Sequence, residues 1–138
     1  MFVDVLRVEV EVEDSDSPWG AEVVLFVNDR DLRDLCSHLG DGWICPPPEV
    51  LAKHPDHLRG GPDRWEDPTR PWYDAAAVLA CGCGQPGCDA VLARIDYRTT
   101  EVIWSLHRRT GEPADVGPFH FDRREYESAI ALVSPVDR

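Results

Sequence analysis

The run Cys-Gly-Cys-Gly-Gln-Pro-Gly-Cys at residues 81–88 constrains this chain more than any other part of its sequence. Three cysteines lie within eight residues, and only glycine, glutamine and proline separate them. Glycine and proline favour tight turns, so a regular element that enters this run must end or reverse there. Apolar segments stand on both sides, at 75–80 and 90–95. The sequence therefore predicts a β-hairpin with three thiols at its tip.

A third strand is predicted after this hairpin. Apolar and polar side chains alternate over residues 101–107, and a period of two is typical of a strand with one buried face. The turn at 98–100 is short enough for a direct return of the chain. Residues 75–107 are therefore predicted to form a three-stranded antiparallel meander with Trp104 in the core.

The N-terminal part of the chain predicts a second pair of strands. Within residues 2–13, leucine and valine alternate with arginine and glutamate, which indicates a half-buried strand with acids on its wet face. Turn-forming residues at 14–20 separate this strand from the apolar run 21–27. We expect that run to pair antiparallel with the first strand.

The first predicted helix follows these strands. Leucines and Cys36 recur with helical spacing between Asn28-Asp29, which can cap a helix, and Gly40, which can end one. A helix is therefore expected over 29–39, with Cys36 buried as a small core residue.

The second predicted helix lies near the C-terminal end of the sequence. Asp122-x-x-Glu125 is a capping box headed by aspartate, and Phe121 and Tyr126 have the spacing of a hydrophobic staple. These signals predict a helix over 122–134.

Residues 42–74 contain seven prolines and predict a long loop. Val50-Leu51-Ala52 could form one helical turn within it. The loop is also rich in aromatic residues, which we expect to anchor it to the sheet. They are Trp43, Trp65, Trp72 and Tyr73.

Together these elements predict a single α+β domain over residues 1–138. Its centre is a mainly antiparallel sheet of about five strands, with two helices on one face and the long proline-rich loop over it. A chain of this length buries about two-thirds of its unfolded surface, so one core is sufficient.

The charge of the chain restricts its partners. The formal net charge is −12, and the first 34 residues carry ten acids but only three arginines. An acidic surface repels nucleic acid and anionic membranes, so neither is expected as a partner. It attracts a basic protein. The alternative is that the acids only keep the domain soluble.

The cysteines indicate a reducing compartment. Five is an odd number, and the sequence begins without the basic and apolar regions of a secretory signal. No apolar run approaches the ~20 residues of a membrane helix. We therefore expect a cytoplasmic protein, in which clustered cysteines suggest metal or redox chemistry before disulfides.

Zinc is the metal that the cysteine run would suit. Zinc knuckles present thiolates on tight turns that contain glycine, so Cys81, Cys83 and Cys88 could supply three ligands. The fourth would come from Cys36 or Cys45, which are chemically best, from His107 or His120, or from a histidine of the long loop. The spacing Cys-x-Cys-x4-Cys differs from the paired Cys-x2-Cys of common zinc sites. A structural turn with inert thiols therefore stays open as the alternative.

Two function classes remain on the sequence alone. The favoured one is a non-enzymatic binding or interaction module with a possible structural zinc knuckle. The alternative is a metal-dependent or thiol enzyme in which His54, His57 or His107 assists the 81–88 cluster. The prolines near His54 and His57 favour exposed loop residues. The sequence also contains no phosphate-binding loop, dinucleotide fingerprint, nucleophile elbow or His-Glu-x-x-His motif, so no catalytic residue is assigned.

Three segments of the chain occur in an order that a known family shares. They are Leu79-Ala-Cys-Gly-Cys-Gly-Gln-Pro-Gly-Cys88, Glu101-Val-Ile-Trp-Ser105 and the run from Gly117-Pro-Phe-His-Phe-Asp to Ile130. They resemble a family of small uncharacterised actinobacterial proteins. Members of that family carry a Cys-Gly-x-x-Gly-Cys hairpin, a Val-x-Trp strand and a Gly-Pro-Phe-x-Phe-Asp helix start. The resemblance covers about residues 75–132 and implies a cytoplasmic bacterial protein with a cysteine turn.

Overall fold

The computed structural model describes residues 3–11, 22–40, 42–46, 48–60, 75–81 and 89–131. These residues form eight strands, three α-helices and two 3-10 segments. The strands, in chain order, are β1 (Leu6–Glu11), β2 (Glu22–Val27), β3 (Arg30–Asp31), β4 (Trp43–Ile44), β5 (Ala76–Cys81), β6 (Ala90–Tyr97), β7 (Glu101–Arg108) and β8 (Phe119–Asp122). The helices are α1 (Leu32–Leu35), α2 (Pro48–Lys53) and α3 (Arg123–Ala131), and the 3-10 segments are Ser37–Leu39 and Pro55–Leu58. The α+β class, mainly antiparallel sheet, is confirmed.

The strands form two antiparallel sheets, ordered β4-β5-β6-β7-β8 and β1-β2-β3. The predicted meander is present as β5, β6 and β7, and the predicted N-terminal pair is present as β1 and β2. The five strands of the larger sheet include β4 and β8, two short strands that the residue pattern did not predict. Strands of two and four residues are too short to show a clear period. The N-terminal pair instead forms a sheet of its own with β3.

Backbone hydrogen bonds join the two sheets at two places within the described residues. The amide of Asp4 donates to the His120 carbonyl at 2.7 Å, and the amide of His120 donates to the Asp4 carboxylate at 2.8 Å. The amide of Val23 donates to the Pro46 carbonyl at 2.7 Å. The start of β1 therefore meets β8, and β2 meets the chain that follows β4. This arrangement places apolar side chains of both sheets in one core, whose largest fully buried members include Trp104, Tyr126, Phe121, Leu25 and Leu32.

The prediction of a helix over 29–39 is wrong in both the start and the length of the helix. Asn28 and Asp29 have φ values of 55° and 66°, so they form a left-handed turn between β2 and β3. Asparagine and aspartate tolerate this conformation well, which makes them hairpin residues here and not a helix cap. Helix α1 has only four residues, and its cap is Asp31, whose carboxylate accepts a hydrogen bond from the amide of Arg33 at 2.9 Å.

The second predicted helix is present as α3 from Arg123 to Ala131, and residues 132–134 lie outside the described residues. The predicted cap residue Asp122 and the predicted staple are confirmed. The amide of Glu125 donates to the Asp122 carboxylate at 3.0 Å. The ring centroids of Phe121 and Tyr126 lie 5.4 Å apart, as a hydrophobic staple requires. The start of α3 is therefore fixed by local sequence.

The proline-rich segment contains α2, which confirms the helical turn predicted at residues 50–52. Trp43 anchors the segment as predicted, because it is buried and its Nε1 donates to the carbonyl of Cys36 at 3.1 Å. The predictions for Trp65, Trp72 and Tyr73 fall on residues outside those that the structure describes.

Candidate functional site

The cysteine run lies at the end of the β5–β6 hairpin, as its flanks predict. Cys81 is the last residue of β5, and its amide donates to the carbonyl of Asp89 at 3.0 Å, directly before β6. Cys81 is partly exposed. Cys83 and Cys88 lie outside the described residues, so the metal set Cys81, Cys83 and Cys88 stays a prediction.

Asp89 fixes the base of this hairpin. One carboxylate oxygen accepts from the amide of Ala90 at 2.8 Å, and the other accepts from Nη2 of Arg108 at 2.7 Å. The hydrogen bond to Asp89 raises the pKa of the Arg108 guanidinium. Asp89 is therefore tied to β7 by a charge-assisted contact, and its carbonyl accepts the amide of Cys81 on the other side of the run.

Cys36 is fully buried, which confirms the predicted core position. Desolvation raises the pKa of its thiol to about 11. Without a metal ion, this burial favours the protonated thiol at neutral pH. Cys36 belongs to the same buried apolar cluster as Trp43, whose Nε1 donates to the Cys36 carbonyl.

Cys45 follows β4 directly and is also fully buried. Across the β4–β5 pair, the residue opposite Cys81 is Trp43. Within the described residues, no group of three or more histidine, cysteine, aspartate or glutamate side chains is arranged to hold a metal ion. The choice of Cys36 or Cys45 as the fourth ligand stays a prediction.

His57 is fully buried, so the interpretation of this residue as an exposed loop residue is wrong. Its Nε2 lies 2.8 Å from the carbonyl oxygen of Ala77. A carbonyl only accepts, so Nε2 carries the proton in this contact. The register of β5 against β6 shifts between Ala77 and Leu79, and such a bulge disrupts the regular ladder of hydrogen bonds. His57 therefore supports the backbone of β5 at an irregular point.

The other candidate histidines lie in separate parts of the sheet. His107 is in β7, and its Nδ1 lies 3.0 Å from the carbonyl of Arg108. His120 is exposed in β8, and its Nδ1 lies 3.3 Å from a carboxylate oxygen of Glu101. Three strand spacings of ~4.8 Å separate β8 from β5, so His120 is too far to share a metal ion with Cys81.

A surface depression of about 370 Å³ lies between the β6–β7 turn and the start of α3. Sequence reasoning missed it because its residues come from two distant segments: Thr99, Thr100, Asp122, Arg123 and Arg124. The Arg123 guanidinium lies 4.4 Å above the Tyr97 ring, and its Nη1 donates to the Arg98 carbonyl at 2.9 Å. These contacts hold the turn against the helix.

An exposed apolar surface on the N-terminal sheet was also missed. Val3 and Val5 leave 47% and 49% of their surface exposed on one face, and Val10 leaves 45% on the opposite face. A signal was present in the sequence. With a period of two, Val3 and Val5 share the face of Arg7 and Glu9, where polar residues are expected.

Comparison of this chain with known proteins assigns it no function. No family model, curated protein or solved structure matches it. Among the helices that the structure describes, none has the length and apolar character needed to cross a membrane.

Proposed function

We propose that this protein is a non-enzymatic binding module that recognises a basic protein in the cytoplasm. The observation that carries the proposal is the position of the exposed apolar side chains. Val3 and Val5 are each about half exposed and share one face of the N-terminal sheet. They lie in the first 34 residues, where ten acids stand against three arginines. An apolar surface in an acidic setting suits a partner with the opposite charge.

The surroundings of His57 and Cys36 favour structural roles for these two residues. His57 contacts a backbone carbonyl in the interior, and the Cys36 thiol is buried with a raised pKa. A thiol nucleophile needs a lowered pKa and a nearby base, which is the opposite environment.

The cysteine turn enters the proposal as a structural zinc knuckle at the end of the β5–β6 hairpin. Cys81, Cys83 and Cys88 would each supply a thiolate, and a fourth ligand would close the tetrahedral shell. A closed shell leaves no position for substrate, so the metal would stabilise the hairpin and take no part in chemistry.

Elemental analysis tests the zinc knuckle. We expect about one zinc per chain in protein purified without added metal or a histidine tag, because structural sites bind zinc tightly. Cys83→Ser should fall below about 0.2 zinc per chain, since it removes one thiolate. Cys36→Ala and Cys45→Ala, measured separately, assign the fourth ligand to whichever residue's loss releases the metal. A zinc content below about 0.2 in the unmodified protein would overturn the knuckle.

Capture from a native lysate tests the binding function. The immobilised protein should retain a basic protein at ~50 mM salt and release most of it at ~500 mM, because salt screens attraction between exposed charges. An unrelated protein of similar size and charge is the control bait, which removes partners that bind any acidic surface. Recovery of nothing beyond the control, or of acidic proteins only, would contradict the proposal.

A further inference from the structure

The outer face of the N-terminal sheet is exposed near Val3 and Val5, whereas Val24 on the same face is buried. Along β1 and the residues before it, side chains alternate between two faces. Leu6 and Val8 point into the core and are only 6% and 4% exposed, whereas Val3 and Val5 are about half exposed on the other face. We call the surface formed by Val3, Val5, Arg7, Phe26 and Asp29 the outer valine face.

Arg7 and Phe26 give this face a fixed centre. The two residues are opposite each other across β1 and β2, and the Arg7 guanidinium lies 4.0 Å above the Phe26 ring. Its Nε lies 3.3 Å from a carboxylate oxygen of Asp29, and its Nη1 contacts the Glu9 carboxylate. A cation stacked on an aromatic ring and paired with acids is held in place, so the valines stand beside an ordered surface.

Acidic groups border the outer valine face and remain available to a partner. The side chain of Asp29 is 86% exposed and that of Glu9 is 54% exposed. Exposed pairs such as Arg7 with Asp29 contribute little to stability, so a second cation can compete for the carboxylate. The face therefore combines apolar contact area with exposed negative charge.

The net charge of the chain favours one class of binding partner for this face over the others. A second copy would bring two chains of net charge −12 together through their most acidic segment, which costs association energy. Nucleic acid and anionic membranes carry the same sign of charge and are disfavoured in the same way. A cationic protein segment meets both the apolar and the acidic parts of the face.

We infer that the outer valine face binds an extended segment of a basic protein in which aliphatic side chains alternate with lysine or arginine. Val3 and Val5 are two residues apart, a separation of about 7 Å in a strand, which matches alternate side chains of another extended segment. The aliphatic side chains would lie on the valines, and the cations between them would reach Asp29 and Glu9. This inference rests on the proposed function and names the surface through which it acts.

NMR titration of ¹⁵N-labelled protein with the peptide Ac-KLKLKLK-NH₂ tests this surface. The amide signals of Val3, Val5, Arg7 and Asp29 should shift in a saturable way. Val5→Ser should weaken binding about five- to tenfold, because it removes apolar contact area. Val10→Ser is the matched control, since Val10 is 45% exposed on the same strand but belongs to the opposite face, and its affinity should equal that of the unmodified protein.

Two further peptides separate apolar contact from charge. Ac-KSKSKSK-NH₂ keeps the lysines and should bind at least about fivefold more weakly, because serine offers little apolar area. Ac-ELELELE-NH₂ keeps the leucines and should not bind, because its charge is repelled.

The outcomes distinguish this surface from the proposed function. Equal affinity of Val5→Ser and Val10→Ser, or shifts confined to another surface, would overturn the outer valine face as the docking site. A basic protein specifically captured from lysate would then still support the proposed function. Dispersed spectra of both variants before the titration show that a loss of binding is not a loss of fold.

Discussion

Replacing Trp104 with alanine should lower the free energy of unfolding by about 3–5 kcal/mol, the usual cost of removing a large buried aromatic side chain. Trp104 is fully buried at the centre of an aromatic cluster. Its ring centroid lies 5.3 Å from that of Phe121 and 6.2 Å from that of Tyr126, both in edge-to-face geometry. Such ring pairs stabilise the fold beyond the contribution of the apolar area that each ring buries. Urea unfolding followed by far-UV circular dichroism measures the loss.

Trp104 also begins a chain of hydrogen bonds that links three parts of the fold. Its Nε1 donates to the Tyr126 hydroxyl at 3.1 Å, and that hydroxyl donates to the Leu58 carbonyl. Burial raises the pKa of Tyr126 well above its ordinary value, so the hydroxyl keeps the proton that it donates. The alanine variant therefore removes the hydrogen bond between β7 and α3 and leaves the tyrosine without one of its buried partners.

Two variants control this prediction. Ser105→Ala changes the exposed neighbour of Trp104 on the same strand and should stay within about 0.5 kcal/mol of the unmodified protein. Tyr126→Phe keeps the ring and removes only the hydroxyl, so it should cost about 1–3 kcal/mol. A loss below about 1 kcal/mol for Trp104→Ala would contradict the central role of this cluster, because even a single buried hydrogen bond costs that much.

The parts of the fold that the sequence predicted well are those that local signals specify. The meander follows from alternation within each strand, and the start of α3 follows from Asp122, Phe121 and Tyr126, which lie within five positions of each other. Such signals need no knowledge of distant residues. The end of the β5–β6 hairpin was predictable for the same reason, because the turn formers at 81–88 stand between two apolar runs.

The predictions that failed concern contacts between distant segments. Asn28-Asp29 can cap a helix or form a left-handed hairpin turn, and the pairing of β3 with β2 decides for the turn. His57 stands among prolines like a loop residue, yet its partner Ala77 lies 20 positions away in β5. A two-residue strand such as β4 exists only because β5 supplies its partner. In each case the structure depends on contacts between distant segments, and these contacts cannot be inferred from the local residue pattern.

The candidate sites divide in the same way. The sequence identifies the cysteine run, but a fourth ligand depends on which distant residue reaches it. The acidic character of the first strand is visible in the sequence, whereas the exposure of Val3 and Val5 depends on what the rest of the chain leaves uncovered. One face of β1 and the residues before it is buried, whereas Val3 and Val5 on the other face are exposed. Exposed apolar side chains of this kind can form a binding surface.

Replacing His57 with leucine should lower the free energy of unfolding by about 2–3 kcal/mol, because a buried carbonyl loses a hydrogen-bond donor that an apolar side chain does not replace. Leucine is similar in size to histidine, so the cost comes mainly from the lost polar contact at 2.8 Å and less from a cavity. The affected carbonyl belongs to Ala77 in β5, next to the register shift, where the ladder with β6 is already irregular. Urea unfolding at pH 7 measures the effect.

His57→Gln is the matched control, because the glutamine amide nitrogen can occupy the place of Nε2 and donate to the same carbonyl. It should recover at least about half of the loss seen with leucine, since it restores a donor to the Ala77 carbonyl. Both variants should keep the zinc content and the capture of a basic protein seen without substitution, because Nε2 of His57 contacts the backbone of β5. An unchanged unfolding free energy in His57→Leu would refute the supporting role. Loss of zinc in both variants, with folding intact, would instead make His57 a metal ligand.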